Sequence, residues 1–255
     1  MDDYSREAFA HICRELETEE SYSAREAIGT YGEKRLHVAL KRYATTETCR
    51  HEVKVGPYIA DVCEKDRITE IQTGGFYPLR DKIAYYLEQT NYYVTILHPI
   101  CRDKQRIWVD PESGEAVSVY RSPRHGKPRD ALKELFWLAP YLGHPRLCVC
   151  LMMIDACEVR KNDGWSRDGR KGSHRVELIP RALFDEVVLD EPTDYRIFLP
   201  DTLGERFTAA EYGRAMGLRG RPVYAGLHVL AAVGLVSRAE KKGRSFIWKR
   251  CRPGE

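Results

Sequence analysis

Apolar positions change period several times along the chain, and each change marks an element. Tyr4, Phe9, Ile12 and Leu16 recur at helical spacing and predict a helix over residues 2–18. A stronger stripe of Ile28, Leu36, Ala39, Leu40 and Tyr43 predicts a second helix over 24–43. The chain then turns to short apolar runs, and strands are expected at 48–54, 57–63 and 67–73. Gly56-Pro57 separates the first two and Glu64-Lys65-Asp66 turns the last two. Gly74-Gly75 releases the chain into a helix over 78–89, and the β-branched and aromatic run 92–98 reads as a buried strand. The order is helix, three strands, helix, strand.

Beyond this core the pattern predicts a hairpin over 106–110 and 116–120, closed by Pro111-Glu112-Ser113-Gly114. Asp130 is placed to cap a helix running to about 141, and the apolar run 147–156 reads as another central strand. Residues 176–204, punctuated by Pro180, Pro192 and Pro200, read as a connecting segment. After Phe207 a small module is expected. Thr208 caps a helix ending at Gly217, Pro222 opens a second that closes at Gly234, and strands at 235–238 and 246–249 flank Lys241-Lys242-Gly243-Arg244. That is a winged helix-turn-helix in outline. The chain therefore divides into residues 1–195 and a C-terminal unit, 196–255.

Charge sharpens the division. The 255 residues carry a formal net charge of +3, yet from Glu205 onward eleven Lys/Arg face four Asp/Glu, which leaves the front slightly acidic. A basic tail fits a nucleic-acid partner. Eight cysteines occur without a Cys-x-x-Cys pair or zinc-type spacing, and they read as reduced, mostly buried thiols. The first residues lack a basic stretch followed by an apolar one, and no apolar run reaches membrane length, so a cytoplasmic protein without membrane contact is expected.

The chemistry concentrates in the strand pair around Glu64-Lys65-Asp66. A hairpin of that length brings Asp61 near Glu70, and the two-residue period of a strand puts Gln72 on the face of Glu70. Mg²⁺ prefers oxygen ligands and keeps several waters, so Asp61, Glu70 and the main-chain carbonyl of Ile71 suffice to hold it. Glu33, on the preceding helix in Gly32-Glu33-Lys34-Arg35, would add an outer carboxylate. His37, one turn later, reads as a partly buried helix residue outside the site.

A helix with Glu33, a hairpin with Asp61 and then Glu70-Ile71-Gln72 resembles the PD-(D/E)xK nuclease superfamily. The resemblance covers about residues 24–98 and extends toward 158. It implies an α/β fold, with a restriction endonuclease-like αβββαβ core built on a mixed central sheet. It also implies a Mg²⁺- or Mn²⁺-dependent nuclease in which Asp61 and Glu70 bind metal, Gln72 orients the attacking water and Glu33 assists. Two departures stand out: Ala60 precedes Asp61 where the motif has proline, and Gln72 occupies the usual lysine position. The second motivates a rival reading, a catalytically silent nuclease fold that binds DNA or a protein.

Nucleic-acid contacts are expected from two basic loops. Arg121, Arg124 and Lys127 lie in the first, and Trp165, Arg167, Arg170 and Lys171 in the second, with the tryptophan able to stack on a base. Arg219, Arg221, Lys241, Lys242 and Arg244 would add phosphate contacts from the C-terminal unit. Its second helix is apolar and small on most sides, so binding without base readout is expected. DNA is the expected partner, with RNA left open, and symmetric cleavage of a duplex would call for a homodimer. Asp155 and Glu158 read as strand-end charges that meet solvent.

Overall fold

A computed structural model of the chain describes residues 3–23, 35–110, 112–165, 171–243 and 245–251. The elements are α1 (Asp3–Ser23), α2 (Arg35–Ala44), β1 (His51–Val55), β2 (Tyr58–Glu64), β3 (Arg67–Ile71), α3 (Arg80–Gln89) and β4 (Tyr93–Val109). They continue as β5 (Ala116–Arg121), α4 (Leu132–Leu135), β6 (Leu147–Trp165), β7 (Lys171–Leu189), β8 (Arg206–Thr208), α5 (Ala209–Met216), α6 (Arg221–Ala232), β9 (Val236–Lys242) and β10 (Ser245–Arg250).

Among the described residues the strands form two sheets. The larger has seven strands in the order β1-β2-β3-β4-β6-β7, with β5 pairing on β4. Strands β1, β2 and β3 form an antiparallel meander, whereas β3 pairs parallel with β4 and β4 parallel with β6. The parallel step needs a crossover, and α3 provides it. One face of this mixed sheet packs Ile71, Leu97, Met152 and Ile154 against α1 and α2 through Phe9, Leu36 and Leu40. The other buries Ile68, Ile96 and Val149 against Ile83, Tyr86 and Leu135. The result is a three-layer arrangement with a mixed sheet at its centre. Among the described residues no helix is long and apolar enough to cross a membrane.

The three-stranded sheet, order β8-β10-β9, carries α5 and α6. Thr208 caps α5 by accepting from the Glu211 N–H, while Glu211 reaches back to the Thr208 N–H. This module shares the apolar cluster of the large sheet, for Leu227, Val229 and Leu230 pack in it together with Leu132 and Leu135. The 195/196 boundary falls inside a 3-10 segment, Pro192–Phe198, whose Tyr195 and Phe198 are buried there too.

Several expectations needed correction. The reading of 176–204 as a connecting segment fails, because β7 pairs along β6 from Lys171 to Leu189. Pro180 is tolerated since β7 is an edge strand, and a register shift lies beside it. The helix expected from Asp130 breaks into 3-10 turns around a short α4, with Pro140 inside the last of them. Of the helix expected over 24–43, the described part is α2, and Glu33 lies outside the described residues. Asp155 and Glu158 lie within β6, not at its end, and of the two only Asp155 reaches solvent, in part. Asp155 takes both nitrogens of the Arg102 fork, and Glu158 is buried among Lys104, Arg106 and Arg160.

Candidate active site

The β2–β3 ladder pairs Cys63 with Ile68 and Val62 with Thr69 and ends there, and Asp61 and Glu70 are the next residues on the two strands as they part. There the strands stop exchanging main-chain hydrogen bonds. The Ile71 N–H instead donates to Asp61 Oδ2 at 2.8 Å. One residue on, the Gln72 N–H turns the other way and donates to the Leu97 carbonyl in β4. Because N–H and C=O of one strand residue point to the same side, the Ile71 carbonyl faces the opening where Asp61 stands. Two carboxylates and a carbonyl thus border one small opening at the end of β3.

Glu70 is only 1% exposed, and its Oε1 is buried without a hydrogen-bond partner. Its Oε2 accepts from Lys82 Nζ at 2.6 Å, a lysine on the inner side of α3. Tyr86, one turn further along α3, brings its buried hydroxyl beside Glu70, and burial and that carboxylate both disfavour its ionisation. Burial pushes the Glu70 carboxyl up to about 7, against the pull of Lys82 and with the Asp61 charge adding to the rise. Burial would also raise Asp61, but His37 and the Ile71 N–H hold it below the usual carboxylate value. His37 reaches in from α2, with Nε2 3.7 Å from Asp61 Oδ1. The pair is therefore asymmetric: one carboxylate is held charged, and the other is poised to gain or lose a proton near neutrality.

Gln72 sits at the strand end, but its side-chain amide donates to the Gly75 carbonyl and ties the turn after β3. Its own carbonyl accepts from Nδ1 of buried His98 at 2.6 Å, and burial keeps that imidazole neutral by lowering its pKa. Sequence reasoning missed Lys82 and set His37 aside. Asp81-Lys82 reads as solvated helix charge, and the four-residue spacing of Lys82 and Tyr86 toward the sheet is the only trace of their shared face.

The first basic loop lies further along β4 from this opening. β5 lies along the edge of β4 that β3 occupies further back, with Arg121 opposite Gln105. The loop after it is held down at Gly126, whose N–H bonds the Cys101 carbonyl at 3.0 Å, and an added Cβ there would come within 2.2 Å of that oxygen. Cys101 is four residues beyond Leu97, the partner of Ile71, so Gly126 is tethered roughly 13 Å past the end of β3, whereas Arg121 at the start of the loop is opposite Gln105, roughly 26 Å past it. Arg121, Arg124 and Lys127 are all exposed. A cavity of about 420 Å³ beside them is lined by Arg102, Asp103, Lys104, Arg121, His125 and Arg181.

The other predicted contacts are dispersed. Trp165 and Lys171 stand at the facing ends of β6 and β7, while Arg167, Arg170 and Arg244 lie outside the described residues. Arg219, Arg221 and Lys241 are exposed on the C-terminal module, and Lys242 ends β9. Helix α6 packs its apolar side onto α4, with Gly226 set against Tyr212 and Leu132.

Residues 34–190 match the family described as Domain of unknown function (DUF8091). The chain belongs to that family. The matched span takes in the whole seven-stranded sheet with α2, α3 and α4, hence Asp61, Glu70 and Lys82 together. An "Uncharacterized protein" of Treponema pallidum (strain Nichols) is 26% identical over 231 residues, 89% of each chain, so the similarity runs on beyond the family span. No solved structure matches.

Proposed function

We propose that this protein is a metal-dependent nuclease, with Asp61 and Glu70 as its metal ligands and the Ile71 carbonyl beside them. The observation that carries the reading is the buried Glu70 carboxylate, beside Asp61 where the two strands part and contacted by Lys82 at 2.6 Å. The succession α2-β1-β2-β3-α3-β4, antiparallel through β3 and parallel from β3 to β4, supports a restriction endonuclease-like core. The order β8-α5-α6-β9-β10 supports a winged helix.

The donors suit a hard divalent ion. Glu70 Oε1 is buried without a partner, and every candidate ligand atom is oxygen. Among the described residues no three His, Cys, Asp or Glu side chains gather into one group, so water would complete the coordination shell, as Mg²⁺ prefers. When bound, Mg²⁺ or Mn²⁺ supplies Lewis acidity toward a phosphoryl oxygen and lowers the pKa of a bound water. Lys82 brings the ammonium that the Gln72 position lacks, and its positive charge faces the negative charge that grows on phosphate in the transition state. His37 keeps Asp61 ionised, and His98 fixes the strand end through the Gln72 carbonyl. The exposed Arg121, Arg124 and Lys127 would hold the polyanion past the end of β3.

The silent-binder reading draws on one observation, the Gln72 amide committed to the Gly75 carbonyl and so withdrawn from a water. The experiment that separates the two is incubation with single-stranded, duplex and branched DNA and with RNA, each in Mg²⁺, Mn²⁺ or EDTA. Metal-dependent cleavage that Asp61→Asn abolishes while affinity in EDTA is kept is the expected result. Tight binding without cleavage under any metal would replace the nuclease by the silent binder.

A further inference from the structure

Four rings meet in a continuous row on the surface between the candidate active site and the C-terminal module. Tyr77, in the 3-10 turn leading into α3, meets Trp137 with ring centroids 4.8 Å apart. Trp137 meets Phe136 at 5.4 Å, and Phe136 meets His228 of α6 at 4.8 Å. Tyr77 is 56%, Trp137 39% and Phe136 37% exposed, so the row is a surface feature and not a core. Glu134 assembles it by accepting from the Phe76 N–H at 3.1 Å, which brings the turn before α3 against the segment after α4. On α6 the line continues to Tyr224, one turn before His228, and to Arg221 one turn earlier. Tyr224 is 67% exposed.

We propose that this row is a stacking track for a single-stranded stretch of nucleic acid, leading from the hydrolytic site to the basic corner of the C-terminal module. The proposal rests on the nuclease reading for the identity of its ligand. Exposed rings in a connected row mark an interaction surface, and three features select unpaired bases as the occupant. First, Tyr77 precedes Lys82 by five residues of helical chain, about 8 Å along the axis, so the row begins beside the site that would take a phosphodiester. Second, exposed cations punctuate it: Arg80 stands 5.5 Å from the Tyr77 ring centre while also pairing with Asp81, and Lys133 and Arg221 flank the middle and far end. Third, the Tyr77–Trp137 and Trp137–Phe136 planes cross at 74° and 81°, so each contact is edge to face and covers one face of one ring, where a parallel stack would cover a face of both. Unpaired bases offer free faces to such rings, whereas a duplex keeps its bases stacked on each other.

The test is fluorescence anisotropy in EDTA, where cleavage cannot intervene, with labelled oligothymidylate, oligouridylate, a duplex of equal length and an oligonucleotide of abasic sites. Tyr77→Ala and Trp137→Ala are each expected to weaken single-strand binding about tenfold, with duplex affinity and the salt dependence unchanged. Trp137→Phe, which keeps a ring, is expected to retain most of the affinity. The proposal is overturned if the alanine variants bind single strands as the wild type does, if duplex affinity falls equally, or if the abasic strand binds as tightly. The outcome is independent of the hydrolytic site: ring-dependent binding without cleavage in any metal sinks the nuclease alone, and cleavage with ring-independent binding sinks the track alone.

Discussion

Replacing Glu70 by glutamine should make the protein more stable at neutral pH than at acid pH relative to wild type. A rise of the Glu70 pKa from 4.5 to about 7 corresponds to about 3 kcal/mol, at roughly 1.4 kcal/mol per pH unit. Between those two values the folded state holds a proton that the unfolded state has lost. Wild-type stability therefore falls as pH rises through the window and levels off above it. This is opposite in sign to a carboxylate whose pKa is depressed on folding. Below the window both proteins present a neutral group at position 70 beside Lys82, so loss of the Lys82 contact does not distinguish them there. Above it the amide avoids the cost of a buried charge, and the gap should open in favour of the variant by about 3 kcal/mol. Urea denaturation followed by tryptophan fluorescence in EDTA, at closely spaced pH values on both sides of the window, measures it. A gap that stays constant with pH would refute the assignment of Glu70 as a buried, proton-poised carboxyl.

Three further outcomes are expected. Lys82→Met should lower kcat for cleavage about 10²–10³-fold while nucleic-acid affinity in EDTA stays the same, as for loss of one charge-stabilising donor; single-turnover kinetics on saturated substrate reads this. Gly226→Ala should destabilise by about 1–3 kcal/mol despite the better helix propensity of alanine. The added Cβ would stand 2.3 Å from the hydroxyl of buried Tyr212, and a fall in the thermal midpoint checks it. Arg121→Gln, Arg124→Gln and Lys127→Gln should each lower the slope of log affinity against log salt by about 0.7–0.9, read from anisotropy titrations across a salt series.

What could be read from the chain follows the range of the interactions involved. The β1–β3 meander, its turns and the placing of Asp61 beside Glu70 are set by neighbours within about twenty residues, and alternation of side chains exposes them. Lys82 joins them only because the crossover through α3 lays its inner side over β3, and in the sequence it is one charged helix residue among many. His37 is hidden for the same reason, since its partner is on another element. The hairpin strand expected at 106–110 is there, as the end of β4; the continuity of β4 into it and the outer halves of β6 and β7 escape because those stretches are rich in charge, which the sheet satisfies across strands. Arg102 with Asp155, and Lys104, Arg106 and Arg160 around Glu158, are pairings between strands or along one that no local period announces. Pro180 argued for a linker, and only the edge position of β7 makes it compatible with a strand. The apolar face of α6 was legible as unsuited to base reading; its use in docking onto α4 depends on the fold.

The most direct test of the proposed hydrolytic centre is the initial rate of nucleic-acid cleavage as a function of Mn²⁺ concentration, measured for wild type and Asp61→Asn at equal bound substrate. A wild-type rate that saturates with Mn²⁺, falls to zero in EDTA and is lost in the variant at every concentration is the result expected. A rate that is the same in Asp61→Asn, or that survives EDTA, would contradict a metal centre at Asp61 and Glu70.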